Sequence, residues 1–158
     1  MAKFNLVRLI ISIAFTLGFG SLGGFFTVPE ITTWYATLQK PSFNPPNYLF
    51  GPVWTILYLL MGISFYIIWQ QSPSPNKSKA VILFLIQFIL NFCWSILFFK
   101  NHLIFWALVE IIAMWFFILL TIIVFGKLNK IASWLLVPYI SWVSFATLLN
   151  FALWKLNT

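Results

Sequence analysis

Five long apolar stretches, parted only by short basic or proline-rich breaks, constrain this chain more than any other feature. Residues 4–28, 51–69, 80–99, 103–125 and 131–154 each match the ~20 residues that a helix needs to cross ~30 Å of hydrocarbon. They take up most of the 158 residues and leave almost nothing for a water-soluble domain. Composition agrees: 62% of residues are hydrophobic and 7% charged, where a soluble domain carries about a quarter charged residues. The stretches are continuously apolar and do not alternate, so the spans are helices rather than barrel strands. The expectation is an all-α membrane protein, a five-transmembrane-helix bundle forming a single domain over residues 1–158.

The net charge of +7 does not point to nucleic acid, because the basic residues are spread over the span ends and form no patch. They read as topology signals. Lys3, Arg8, Lys77, Lys79, Lys127 and Lys130 gather on one side; Lys40, Lys100 and Lys155, with Glu30, gather on the other. The positive-inside rule then puts the N-terminus in the cytoplasm. Lys3 and Arg8 ahead of an apolar run also resemble a signal peptide. The run is longer than a usual signal core, however, and Thr16, Gly20 and Gly24 repeat at a spacing of four, a close-packing face of membrane helices. Retention of this first helix is expected.

The first helix is predicted to end near Val28-Pro29. Residues 29–50 form the one long connection, stiffened by Pro29, Pro41, Pro45 and Pro46. Asn44 is expected to cap a helix opening at Pro45, with Pro52 in its early turns. Residues 72–79 and 100–102 read as tight turns, and Gly126 suits a helix C-cap.

Polar groups inside hydrocarbon are costly and face a partner or a cavity. Gln87, Asn91 and Ser95 lie on one face of the third span, flanked by Trp94 and Phe98. Pro138, Trp142, Ala146 and Asn150 form a stripe on the fifth, with Tyr139 and Ser141 alongside. Trp54, Tyr58, Met61, Gly62 and Phe65 stack on the second. Glu110 is the single acidic residue within a span, with Trp106 and Met114 one turn to either side. Asn, Gln and Ser in such helices often only bond across to a neighbour, which is the plainer reading of Gln87. Convergence of stripes from four spans points instead to a shared cavity. Glu110 is read equally as a lock, donating to a helix carbonyl, and as a functional group. Cys93 reads as a small packing hydrophobe and His102 as a surface turn residue. No Ser-His-acid set, carboxylate pair, metal cluster or phosphate loop appears, which argues against a hydrolase or metalloenzyme.

Several blocks carry a family resemblance. Trp34-Tyr35-Ala36-Thr37-Leu38-Gln39-Lys40-Pro41-Ser42-Phe43-Asn44-Pro45-Pro46 is followed by Phe50-Gly51-Pro52-Val53-Trp54-Thr55-Ile56-Leu57-Tyr58 and Met61-Gly62. Further on stand Asn91-Phe92-Cys93-Trp94-Ser95, Phe98-Phe99, Glu110, Leu135-Leu136-Val137-Pro138-Tyr139, Trp142, Phe145-Ala146 and Leu149-Asn150. Together they closely resemble the TspO/MBR family of tryptophan-rich sensory and translocator proteins, once called peripheral benzodiazepine receptors. Nine tryptophans agree with that name.

The resemblance implies five helices around a ligand pocket under the helix 1–2 loop, which acts as a lid. It implies binding of tetrapyrroles (protoporphyrin IX and haem), of sterols and of benzodiazepine- or isoquinoline-type compounds, with no obligatory cofactor. It also implies a homodimer among membrane lipids, here in a bacterial plasma membrane. Ligand-binding residues carried over are Tyr35, Trp54, Tyr58, Asn91, Trp94, Ser95, Phe98, Trp142 and Ala146. Some members are similar enough to imply light- and oxygen-dependent porphyrin degradation, in which Trp54 and Trp142 would be the catalytic residues; a transporter of porphyrins or lipids is the further alternative. The cholesterol pattern of animal members is broken, since Phe151 stands where a tyrosine is needed between Leu149 and Lys155. Porphyrin propionates would look to a wet mouth of the pocket or to donors, for which the indole N–H groups, the Asn91 amide and Lys40 are the candidates.

Overall fold

The structure is a computed structural model that describes residues 4–158; Lys3 of the basic face lies outside them. The chain opens with α1 (Leu6–Ser21), capped by Asn5, whose Oδ1 accepts from Arg8 N–H at 3.0 Å. It continues as α2 (Gly24–Ile31), bent by 41° from α1. The bend falls where Leu22 N–H bonds Phe19 O and Phe25 N–H bonds Leu22 O, so the α ladder gives way to tighter turns. Gly23 sits at the bend because a Cβ there would lie 2.9 Å from Ser95 Oγ.

The expected end of the first helix at Val28-Pro29 is corrected: α2 runs through Pro29 to Ile31. The proline ring forfeits one ladder bond, and the Thr33 hydroxyl takes up the Pro29 carbonyl at 3.0 Å. After α3 (Trp34–Thr37) and an extended loop, a 3₁₀ turn (Asn47–Leu49) leads into α4 (Phe50–Trp69). No helix opens at Pro45. Asn44 is drawn away from capping because its Oδ1 accepts from the Tyr35 hydroxyl at 2.7 Å and its Nδ2 donates to Pro45 O.

Helix α5 (Pro75–Ser95) begins five residues before the predicted span, since Ser74 caps it through Lys77 N–H and Pro75 occupies the first turn. It ends in a π turn (Ile96–Lys100) that turns both Phe98 and Phe99 inward. Helix α6 (Ile104–Leu128) does not stop at Gly126. Asn129, in extended geometry, ends α6 and its side chain caps α7 (Lys130–Trp134) through Ala132 N–H at 3.1 Å. Helix α8 (Val137–Leu156) starts with Pro138 in its first turn.

Four helical segments are long and apolar enough to cross a bilayer, and the bent α1–α2 pair supplies a fifth. The closest pairings are α5 with α6, α1 with α4 and α6 with α8. Part of the Thr16-Gly20-Gly24 face explains the second pairing. Thr16 Oγ1 donates to Tyr58 O at 2.8 Å, and a Cβ at Gly62 would stand 2.8 Å from Ile13 Cα. Large apolar side chains such as Ile56, Ile89, Phe116 and Ile123 cover the outside, as a hydrocarbon solvent requires. Arg8 bonds Gln70 at 2.9 Å, and Lys77 bonds Trp69 O and Gln71 O, so the basic N-terminal end and the α4–α5 turn share one face.

Candidate functional site

The half of the bundle away from that basic face encloses a half-open cavity of about 490 Å³. Tyr35 of α3, Trp54 and Tyr58 of α4, Asn91, Trp94 and Ser95 of α5, Phe98 of the π turn, and Trp142 and Ala146 of α8 all line it. Their meeting follows from local geometry. Trp54 and Tyr58 are one turn apart and stack at 5.4 Å; Trp94 and Phe98 stack at 5.0 Å across the start of the π turn. Trp142 packs against Phe50 and Phe145.

The inner end holds a closed polar network. The Tyr58 hydroxyl donates to Asn91 Oδ1 at 2.7 Å, Asn91 Nδ2 donates to the Tyr139 hydroxyl at 3.3 Å, and that hydroxyl points to Met114 Sδ at 3.7 Å. On the α5–α8 wall, Trp94 Nε1 donates to Asn150 Oδ1 at 3.1 Å while Asn150 Nδ2 donates to Ile104 O at 3.0 Å. The indole N–H of Trp94, expected as a donor for propionates, is therefore already engaged, as is one of the two N–H groups of the Asn91 amide. Lys40 lies 4.8 Å over the Tyr35 ring and donates to Ala36 O and Leu38 O.

The connection between α2 and α4, expected to act as a lid, is anchored at several points. Burial pushes the Tyr35 phenol up to about 12. Trp34 stacks on His102 with ring centroids 4.1 Å apart and planes 12° apart. His102 Nε2 lies 3.4 Å from Glu30 Oε2, which also accepts from Thr33 Oγ1 at 3.0 Å. His102 adopts φ 56°, an uncommon backbone for a non-glycine residue. At the other end, Asn157 accepts from Gln39 N–H at 2.9 Å and donates to Gln39 O at 3.0 Å. The mouth lies between α2 and the start of α4, where the lining residues Val28, Tyr48, Gly51 and Thr55 are exposed.

Some stripe residues stand elsewhere. Met61 is in the core, Gly62 packs on α1, Phe65 stacks on Phe84, and Pro138 and Ser141 face outward. The fourth-span stripe does not hold together: Trp106 is 58% exposed toward lipid while Met114 lines the cavity. Glu110 makes no helix lock, since neither carboxyl oxygen has a hydrogen-bond partner. The cross-helix bond expected of Gln87 is also absent: both its polar atoms are buried without a partner, in a core built from apolar side chains such as Phe84 and Phe88. His102 is a turn residue as expected, yet its stack on Trp34 went unseen because nothing local in sequence announces it. Ile31, Leu149 and Leu153 also line the cavity; as ordinary apolar residues they carry no signal that separates them from packing.

Comparison with known proteins places this architecture. The TspO/MBR family model matches residues 11–155. The chain is 46% identical over 153 residues to the Tryptophan-rich protein TspO of Archaeoglobus fulgidus, covering 97% of this chain and 99% of that one. It is 42% identical over 154 residues to the Tryptophan-rich protein TspO of Chlorobaculum tepidum, covering 97% and 98%. It is 37% identical over 152 residues to the Translocator protein of Bos taurus, covering 92% and 89%. With its apolar helices and near full-length matches, the chain belongs to the TspO/MBR family, integral membrane proteins of the sensor and translocator kind.

Proposed function

We propose that this protein is a membrane receptor and sensor for tetrapyrroles, protoporphyrin IX and haem above all, whose cavity also admits sterols and benzodiazepine- or isoquinoline-type compounds. One observation carries the reading: indoles and phenols from separate helices line one hollow of about 490 Å³, within the ~300–1,000 Å³ of small-molecule pockets. Trp54, Trp94 and Trp142 offer faces to a flat macrocycle, at roughly 0.5–1.5 kcal/mol per good aromatic pair beyond area burial. The test is a titration of protein in nanodiscs with protoporphyrin IX, haem and a sterol, followed by tryptophan fluorescence. Saturable quenching by the porphyrins supports the reading; quenching no greater than in protein-free nanodiscs refutes it.

The protein acts as a homodimer in the bacterial plasma membrane with its N-terminus in the cytoplasm. Arg8, Lys77, Lys79, Lys127 and Lys130 on the N-terminal face, against Lys40, Lys100 and Lys155, support that orientation.

The placement of both Trp54 and Trp142 on the cavity wall favours a second reading, photo-oxidative porphyrin breakdown. Bound porphyrin absorbs light and activates oxygen, and the two indoles donate an electron or trap a radical. Under illumination with protoporphyrin IX, a Trp54→Phe/Trp142→Phe variant is expected to bleach the pigment more slowly; bleaching identical to wild type refutes this reading.

A further inference from the structure

We infer that Met114 is an oxidation site: light absorbed by a tetrapyrrole in the cavity turns its thioether into a sulfoxide, with Tyr139 as the positioning residue. This rests on the receptor reading above and does not require the pigment to be broken down.

Met114 reaches the cavity wall from α6 and is 1% exposed overall. It is the one thioether among the described lining residues. Met61 on α4 is sealed in the core at 0% exposure. The Met114 sulfur also has a directed partner. The Tyr58 hydroxyl donates to Asn91 Oδ1 at 2.7 Å, and Asn91 Nδ2 donates to the Tyr139 oxygen at 3.3 Å. With its oxygen accepting from Asn91, the Tyr139 hydroxyl aims its own proton at Met114 Sδ, 3.7 Å away. Three donors in series thus end on the sulfur. The Tyr139 ring is steadied by an edge contact with Trp54, ring centroids 6.2 Å apart.

Thioether sulfur is soft and polarizable, and its first oxidation product is the sulfoxide. Light taken up by the bound pigment excites dioxygen dissolved in the hollow, and the pigment returns unchanged. Excited dioxygen adds end-on to a sulfur lone pair and forms an S–O bond. The outer oxygen of that adduct carries negative charge, and the Tyr139 hydroxyl donates to it, which delays the return to sulfide and dioxygen. Water reaching the half-open cavity then replaces the peroxide group on sulfur. Its oxygen stays as the sulfoxide, and its protons leave with the peroxide as hydrogen peroxide. Sulfur has given up an electron pair and dioxygen has gained it. The product is polar and bulkier in a filled site where α6 packs on α8, so it records illumination as a change in packing.

The experiment illuminates protein in nanodiscs loaded with protoporphyrin IX in air, with loading checked by tryptophan quenching. Peptide mass spectrometry then reads the gain of one oxygen atom at Met61 and Met114. Met114 sulfoxide is expected to grow with light dose, to exceed Met61 sulfoxide by about fivefold or more, and to stay at background in the dark or under argon. Tyr139→Phe, compared at equal porphyrin loading, is expected to lower the Met114 yield about threefold while leaving Met61 unchanged. Met114 oxidised no more than Met61 in loaded protein, or equally in the dark, overturns the inference and leaves the receptor reading intact. An undiminished Met114 yield in Tyr139→Phe overturns the role given to Tyr139. If no quenching shows bound porphyrin, the receptor reading falls and takes this inference with it.

Discussion

The Tyr58 hydroxyl donates to Asn91 Oδ1 at 2.7 Å, which ties α4 to α5 at the inner end of the cavity. Asn91 extends the tie to Tyr139 of α8. Interhelical bonds of this kind within membranes average ~0.6 kcal/mol and reach ~1.7. Tyr58→Phe leaves the Asn91 oxygen without its donor and is expected to lower unfolding free energy by about 1 kcal/mol. Unfolding by sodium dodecyl sulfate measures this. A variant as stable as wild type would show that the bond does not stabilise the bundle.

Two glycines predict opposite outcomes. A Cβ at Gly62 would lie 2.6 Å from Thr16 Oγ1 and 2.8 Å from Ile13 Cα, a backbone atom that is not free to yield. At Gly24 a Cβ meets nothing within 4 Å. Gly62→Ala is expected to destabilise by about 1–3 kcal/mol, and Gly24→Ala to stay within about 0.5 kcal/mol of wild type. Thermal unfolding of the two variants side by side checks the contrast, and equal losses would place the tight α1–α4 approach elsewhere.

The connection between α2 and α4, expected to act as a lid, is held at one end by Trp34 on His102 and at the other by Asn157 on Gln39. These contacts are partly exposed, so each contributes on the order of 0.5–1 kcal/mol. His102→Ala and Asn157→Ala are each expected to speed porphyrin release roughly twofold to fivefold. Stopped-flow displacement reads the rate; release unchanged in both variants would mean that the lid does not hold the ligand.

Much of this arrangement is legible in sequence, and the remainder fails for identifiable reasons. Hydropathy averages over some twenty residues, so the five spans stand out regardless of detail. Their ends depend on single groups: Ser74 with Pro75 starts α5 early, and Asn129 rather than Gly126 ends α6. The α1–α2 bend hides in a run that is apolar throughout, with Gly23-Gly24 its one local sign. The nine residues carried over by resemblance all line the cavity. Their pairings were not readable, because whether Asn91 meets Tyr58 or a ligand depends on the depth and rotation of whole helices. Met114 and Trp106 show the same limit, lying two turns apart on α6 yet facing the cavity and lipid respectively.

Tyr35 gives the lid a signature in pH. Burial favours the neutral phenol and pushes its titration up from 10.0 to about 12. The folded-state value is raised, so the stabilisation from keeping Tyr35 neutral is complete below pH ~10 and is lost as pH climbs through about 12. In a tyrosinate absorbance titration, subtracting Tyr35→Phe from wild type should isolate a phenol that ionises near the upper value. A missing component centred near pH 10 would show that the lid leaves this ring in water.

The most direct test fills the hollow. Ala146 lines the cavity from α8, and Ala146→Trp puts an indole where the ligand is proposed to lie. With helicity checked by circular dichroism, protoporphyrin IX titrated into nanodiscs should quench wild-type fluorescence saturably and lose at least tenfold in affinity for the variant. Undiminished affinity in a folded Ala146→Trp protein would contradict binding inside the bundle.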